Sequence, residues 1–125
     1  MILLDTCVLI WSLFDSGKLS ETAKRALGDN ERAISIASLW EMSIKISLGK
    51  LQLSKTITEI ASLYEKSGVE ILPITPDDCE AIPTLPLIHK DPFDRIILAQ
   101  SMRNHAPIVT DDDKIRQYEI VETIW

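Results

Sequence analysis

The chain has 125 residues, of which 46% are hydrophobic and 26% charged, one domain's worth of ordinary globular composition that excludes disordered and fibrous classes. Thirteen Lys+Arg against nineteen Asp+Glu give a formal charge of −6. A general nucleic-acid binder is usually basic, because phosphate neutralisation supplies most of its affinity; this chain is the reverse.

Short apolar strands alternate with amphipathic helices. Ile2–Leu4 reads as a first strand, followed by a helix over Thr6–Phe14. Ser20 caps a second helix that runs to Leu27, with Gly28 as its stop. Ala33–Ile36 is the next strand, and Ser38 caps a helix through Leu48 that ends at Gly49. A further helix covers Thr56–Lys66 and stops at Gly68, ahead of a strand at Val69–Leu72. Thr75-Pro76-Asp77-Asp78 is a helix start with a capping hydroxyl, Pro at the first position and acids in the first turn. Asp91-Pro92 opens a helix to Asn104. Pro107–Val109 is the fourth strand, and a fifth lies near Ile120–Ile124. Strands separated by helices imply a mainly parallel sheet of about five strands covered on both faces, a three-layer α/β/α arrangement in a single domain over residues 1–125.

Charge and cysteines add to this. Residues 1–64 carry seven basic and seven acidic side chains, residues 65–125 six and twelve, so the whole excess lies in the second half. A protein of this kind that handles a polyanion needs bound cations to cancel its acidic surface. No apolar run approaches the roughly 20 residues of a membrane span, and Met1–Asp5 lacks the basic flank of a signal peptide. Two cysteines, Cys7 and Cys79, read as small core residues in a reducing compartment. A cytoplasmic protein that does not enter membranes is expected.

In parallel sheets ligands bind beyond the carboxyl ends of the strands, and acids stand at those ends here. Asp5 follows the first strand, and Asp111, Asp112 and Asp113 follow the fourth after Thr110. Glu41 falls in the first turn of the helix after the second strand, and Asp94 in the first turn of the helix before the fourth. Each has a structural reading as well. Ser38 to Glu41 fits a capping box, Asp91 and Asp94 suit a helix start, and the triple aspartate suits a solvated turn. Asp5, between two apolar stretches, is poorly placed as a surface group. Two carboxylates about 5 Å apart repel by roughly 3 kcal/mol at an effective dielectric of about 20. Four in one cleft must therefore stay partly protonated or recruit cations. An all-oxygen donor set points to Mg²⁺ or Mn²⁺ rather than Zn²⁺, and two such ions suit in-line attack of water on a phosphodiester.

An ordered set of motifs then spans the chain: Leu3-Leu4-Asp5-Thr6, Ser38-Leu39-Trp40-Glu41-Met42, His89-Lys90-Asp91-Pro92-Phe93-Asp94-Arg95, Ile97-Leu98-Ala99-Gln100, Val109-Thr110-Asp111-Asp112, and a closing Trp125. In this order the sequence resembles the PIN-domain ribonucleases, specifically the VapC-type toxins of prokaryotic type II toxin–antitoxin pairs. The resemblance implies an endoribonuclease that uses Mg²⁺ or Mn²⁺ and a metal-activated water, is held inactive by a cognate antitoxin and is often a homodimer. It implies that Asp5, Glu41, Asp94 and Asp112 are the catalytic metal ligands, with Thr110 pairing with Asp112, although three consecutive aspartates leave room for a slip of register. Thr6, Thr110 and Asp91 are candidates for orienting the ligands, each with an equally simple cap or turn role. Lys45 and Arg95 are candidates for meeting RNA, Lys45 alternatively pairing with Glu41 four residues earlier. Trp11, Trp40, His89 and His105 read as structural.

Two other chemistries begin with a strand and an aspartate. A phosphatase with an aspartyl nucleophile wants a second Asp two residues later, where Cys7 stands. A signalling receiver wants an acidic pair at one strand end, whereas the acids here come from several elements. A PIN nuclease of RNA processing, outside toxin–antitoxin pairs, fits the same residues. The paired apolar helices Ser38–Leu48 and Thr56–Lys66 are the expected seat of a protein partner.

Overall fold

A computed structural model describes all 125 residues. Five short parallel strands, β1 (Ile2–Leu4), β2 (Arg32–Ser35), β3 (Glu70–Leu72), β4 (Ile108–Val109) and β5 (Thr123–Ile124), pair in the order β3-β2-β1-β4-β5. Seven helices surround them: α1 (Thr6–Phe14), α2 (Glu21–Asp29), α3 (Ile36–Ser47), α4 (Ile57–Lys66), α5 (Pro76–Ala81), α6 (Pro92–Asn104) and α7 (Asp113–Arg116). The expected α/β/α architecture with its parallel sheet is the one observed.

The two-residue period of a strand explains the layering. Ile2 and Leu4 of β1 point into one core with Val8, Leu9, Ala23, Leu39, Met42 and Ile60, from α1 to α4. Leu3, between them, points into a second core with Leu98, Ile97, Ile108 and Ile115, from α6, β4 and α7. Strands buried on both faces must be apolar at consecutive positions, as Ile2-Leu3-Leu4 and Ile108-Val109 are.

Strand order places the site. The chain leaves β1 toward β2 and β3 on one side, then crosses to β4 and β5 on the other. The reversal falls between β1 and β4, whose register pairs Leu4 with Val109. A crevice opens at such a switch point, beyond the carboxyl ends of the two strands. The Asp5 N–H donates to the Val109 carbonyl at 3.2 Å, which fixes the first residue after β1 against the end of β4.

Several element ends differ from expectation. β2 ends at Ser35, whose hydroxyl accepts from the Ala37 N–H and caps α3, so Ser38 is not the cap. Ser38 lies inside the helix, fully buried, where its hydroxyl accepts from Thr6 Oγ1 at 2.9 Å. Glu41 consequently sits in the second turn of α3, not the first, and has no capping box to serve. Gly28 lies within α2, which continues to Asp29. Asn30 then ends the helix, donating its side-chain amide to the Ala26 carbonyl. The expected caps Ser20, Thr75 and Asp91 all accept backbone N–H groups, and Thr56, expected as the first helical residue, is instead the cap of α4. α7 was not anticipated, because its four residues are too short to carry a periodic pattern. No helix is long and apolar enough to cross a membrane.

Candidate metal centre

Asp5 is nearly buried and held at both oxygens. Oδ1 accepts from the Val8 N–H at 2.7 Å, capping α1, and Oδ2 accepts from the Thr110 hydroxyl. Thr110 Oγ1 in turn accepts from the Asp112 N–H at 3.0 Å, so one hydroxyl ties the end of β1 to the turn after β4. Of the three aspartates it is thus Asp112 that pairs with Thr110. Its Oδ1 caps α7 by accepting from Lys114 and Ile115, while Oδ2 turns back toward His89.

Asp94 stands in the first turn of α6, whose cap is Asp91 accepting from the Phe93 and Asp94 N–H groups. Asp5, Glu41, Asp91, Asp94, Asp111 and Asp112 line one cavity of about 280 Å³, which also meets Thr6, Cys7 and Trp11 but no basic side chain. The four acids named from sequence are thus brought together from four segments. The tightest set of potential donor atoms is His89, Asp94 and Asp112, all within 4.8 Å of one another. Asp5 and Glu41 face the same cavity from outside that cluster.

Electrostatics shows what this concentration costs. Burial, and then the charges of Asp91, Asp5, Glu41 and Asp112, push the Asp94 carboxyl up to about 8, although His89 Nε2 lies 2.9 Å from it. Burial raises Asp5 to about 6 against the opposing hydrogen bonds from Thr110 and Val8. Asp112 moves the other way. Burial raises it, but the N–H bonds from Ile115 and Lys114 and the adjacent His89 outweigh burial and leave it below the ordinary carboxylate range. Acids that resist ionising together, with no cation of the protein among the cavity walls, form a donor set suited to a hard divalent cation.

The other expected residues take definite places. Thr6 reaches Ser38 and ties α1 to α3 rather than touching an acid. Asp91 acts as the cap of α6 and also lines the cavity. Lys45 pairs with Glu41 at 3.4 Å. Arg95 does not reach the cavity. It is buried, and its guanidinium donates to the carbonyls of Pro86 at 3.1 Å, His89 at 3.2 Å and Ile82 at 3.1 Å. Helix geometry forces this, since Asp94 and Arg95 are neighbours on α6 and cannot share a face. Cys7 and Cys79 are exposed residues, not core, and where Cys7 lines the cavity, partial desolvation of its thiol and the charge of Asp5 push it up to about 11, a poor nucleophile. Trp40 is exposed and meets Phe93 edge-on, with ring centroids 5.0 Å apart. Trp11 packs on Trp125 at 5.9 Å and reaches the cavity.

His89, read as structural from sequence, lies against Asp94 and Asp112 without lining the cavity itself. The only local signal was its place two residues before the cap Asp91, in the loop that leads into α6.

Comparison with known proteins gives a family and a fold. A family model described as PIN domain matches residues 2–121. No curated protein matches the chain. Among solved structures, VapBC2 from Rickettsia felis bound to a promoter DNA fragment is similar, with a TM-score of 0.70 and 16% identity over 98% of this chain and 97% of that one. A toxin–antitoxin complex from Klebsiella pneumoniae gives 0.63 and 24% over 97% and 95%. FitAcB from Neisseria gonorrhoeae gives 0.66 and 18% over 98% and 96%. At such identities the likeness is one of fold.

Proposed function

The chain belongs to the PIN-domain family, and from that premise we propose that it is a Mg²⁺- or Mn²⁺-dependent endoribonuclease, the VapC-type toxin of a toxin–antitoxin pair. The observation that carries this reading is the convergence of Asp5, Glu41, Asp94 and Asp112 on one cavity at the switch point of the sheet. These four acids would hold the ion. Bound there, an ion would supply the positive charge that lets them ionise together and the Lewis acidity for hydrolysis of a phosphodiester by water.

The chain's own groups do the positioning. Thr110 orients Asp5 through its hydroxyl and Asp112 through the backbone, so one side chain ties together the acids beyond β1 and β4. Asp94 stands in the first turn of α6, capped by Asp91, and Asp112 is itself the cap of α7. An acidic cavity repels RNA until cations fill it, which couples substrate binding to ion binding. Lys45, beside Glu41, is the basic side chain we assign to phosphate.

Incubation of the purified chain with total cellular RNA, followed by mapping of the cut sites, tests the activity. Cleavage is expected with Mg²⁺ or Mn²⁺ and none in excess EDTA. Intact RNA with both ions, or equal cutting in EDTA, rules out the reading.

The toxin assignment is supported by structural neighbours described as VapBC or toxin–antitoxin complexes. It is also supported by an apolar groove between α3 and α4, lined by Ile36, Leu39, Trp40, Ile57 and Ala61. We assign this groove to the antitoxin, and a homodimer to the resting state. Hydrogen exchange of the chain with its neighbouring small gene product is expected to show at least about tenfold slowing in α3 and α4. Protection elsewhere with none there refutes the assignment.

A further inference from the structure

His89 is held from every side. Its backbone N–H donates to Tyr118 Oη at 2.8 Å, and its carbonyl accepts from Arg95 at 3.2 Å. Tyr118 Oη donates onward to the Pro86 carbonyl at 2.7 Å, so the segment before α6 is clamped at both ends. The ring itself is buried, with both nitrogens engaged. Nδ1 faces the Asp91 N–H at 3.2 Å, while Nε2 lies 2.9 Å from Asp94 Oδ2 and 3.3 Å from Asp112 Oδ2.

These contacts determine the tautomer. A backbone N–H can only donate, so Nδ1 must be the acceptor and carries no hydrogen. The ring hydrogen then sits on Nε2, where both neighbours are acceptors. A nitrogen bearing that hydrogen has no lone pair to offer an ion. Each carboxylate oxygen, by contrast, keeps a further lone pair after accepting one hydrogen bond.

We propose that His89 is a positioning residue of this site: its Nε2–H bridges Asp94 and Asp112, holding acids from two different helices at ligand spacing while its own nitrogen stays off the metal. This rests on reading the cavity as a divalent-cation site. Outer partners of this kind orient metal ligands, and their loss weakens binding by about 10–100-fold. Asp91 is part of the same device, because its N–H sets the tautomer while its carboxylate caps α6.

Two measurements on the full chain test the proposal. Long-range ¹H–¹⁵N correlation should show Nδ1 unprotonated and Nε2 protonated, without ion and with saturating Mg²⁺. Calorimetric titration with Mn²⁺ should give a dissociation constant about 10–100-fold weaker for His89→Ala, whereas His89→Gln, whose amide still donates at the Nε2 position, should stay within a few-fold of the native chain. A hydrogen on Nδ1, loss of the Nε2 hydrogen when Mg²⁺ binds, or equal Mn²⁺ affinity in His89→Ala overturns the proposal. The spectrum of the native chain decides the matter even if His89→Ala does not fold. Failure of the functional reading looks different: the native chain takes up no Mn²⁺, or takes it up undiminished in Asp94→Asn.

Discussion

Asp94→Asn is expected to reduce RNA cleavage by at least about a hundredfold and, in the same protein, to raise the stability of the metal-free chain at pH 8. The first effect follows from losing an anionic ligand. A catalytic metal contributes several kcal/mol to transition-state stabilisation, and each 1.36 kcal/mol is a factor of ten. The second effect follows from the acid's environment. With Asp94 raised to about 8 by burial and by four neighbouring acids, its ionised form is disfavoured in the folded state. A group whose folded pKa exceeds its unfolded value adds stability below the unfolded pKa, and that contribution is lost as pH rises through the folded one. The native chain without metal therefore weakens between about pH 4 and pH 8 through this group, whereas the asparagine variant does not. At pH 5, only about one pH unit above the unfolded value, most of that loss has not yet occurred and the gap between the two should be much smaller. Urea melts in EDTA at pH 5 and pH 8, set beside a gel assay of cleavage in Mg²⁺, test both halves. Native-level cleavage by the variant eliminates Asp94 as a ligand. A variant less stable than the native chain at pH 8 contradicts the electrostatic account.

Divalent-ion affinity should rise steeply with pH over the same range. Carboxylates bind an ion only after losing their protons, so the proton and the metal compete. With Asp94 at about 8 and Asp5 at about 6, the apparent affinity is expected to increase roughly 50–100-fold from pH 6 to pH 8. Binding near pH 7 should release close to one proton, mainly from Asp94. Calorimetry in buffers of different ionisation enthalpy measures that release directly. The same linkage makes EDTA more destabilising at pH 8 than at pH 6, by about 2.5 kcal/mol when ion is abundant. An affinity independent of pH, or one that falls as pH rises, excludes these two carboxylates as the binding groups. Both expectations would survive if the natural substrate proved to be something other than RNA, because they concern the cation alone.

Much of the architecture was legible because its causes are local. The alternation of apolar triplets with amphipathic stretches is carried by neighbouring residues, and it specified a parallel sheet covered on two faces. Caps such as Ser20, Thr75 and Asp91 were legible for the same reason, since the hydroxyl or carboxylate bonds an N–H only two or three residues onward. Ser35 against Ser38 shows where local rules stop. Either serine can cap a helix, and the pairing of Ser35 with Leu72 in the β2–β3 register keeps the chain extended until Ser35. Glu41 lines the cavity from the second turn of α3 rather than the first, and the capping box weighed as its alternative role does not form.

The amino-acid order alone thus determined the alternation of elements, the excess of acid and the presence of Asp5, Asp94 and Asp112 at element ends, with Glu41 a turn further into its helix. Only the tertiary structure decided which neighbours those acids have. Arg95 turns away from them to bind carbonyls 6 to 13 residues earlier. His89, 23 residues from Asp112, turns toward it. Asp5 meets Thr110 across 105 residues of chain. Periodicity and capping act over a few residues, whereas hydrogen-bond partners and burial depend on distances that exist only after the sheet has formed.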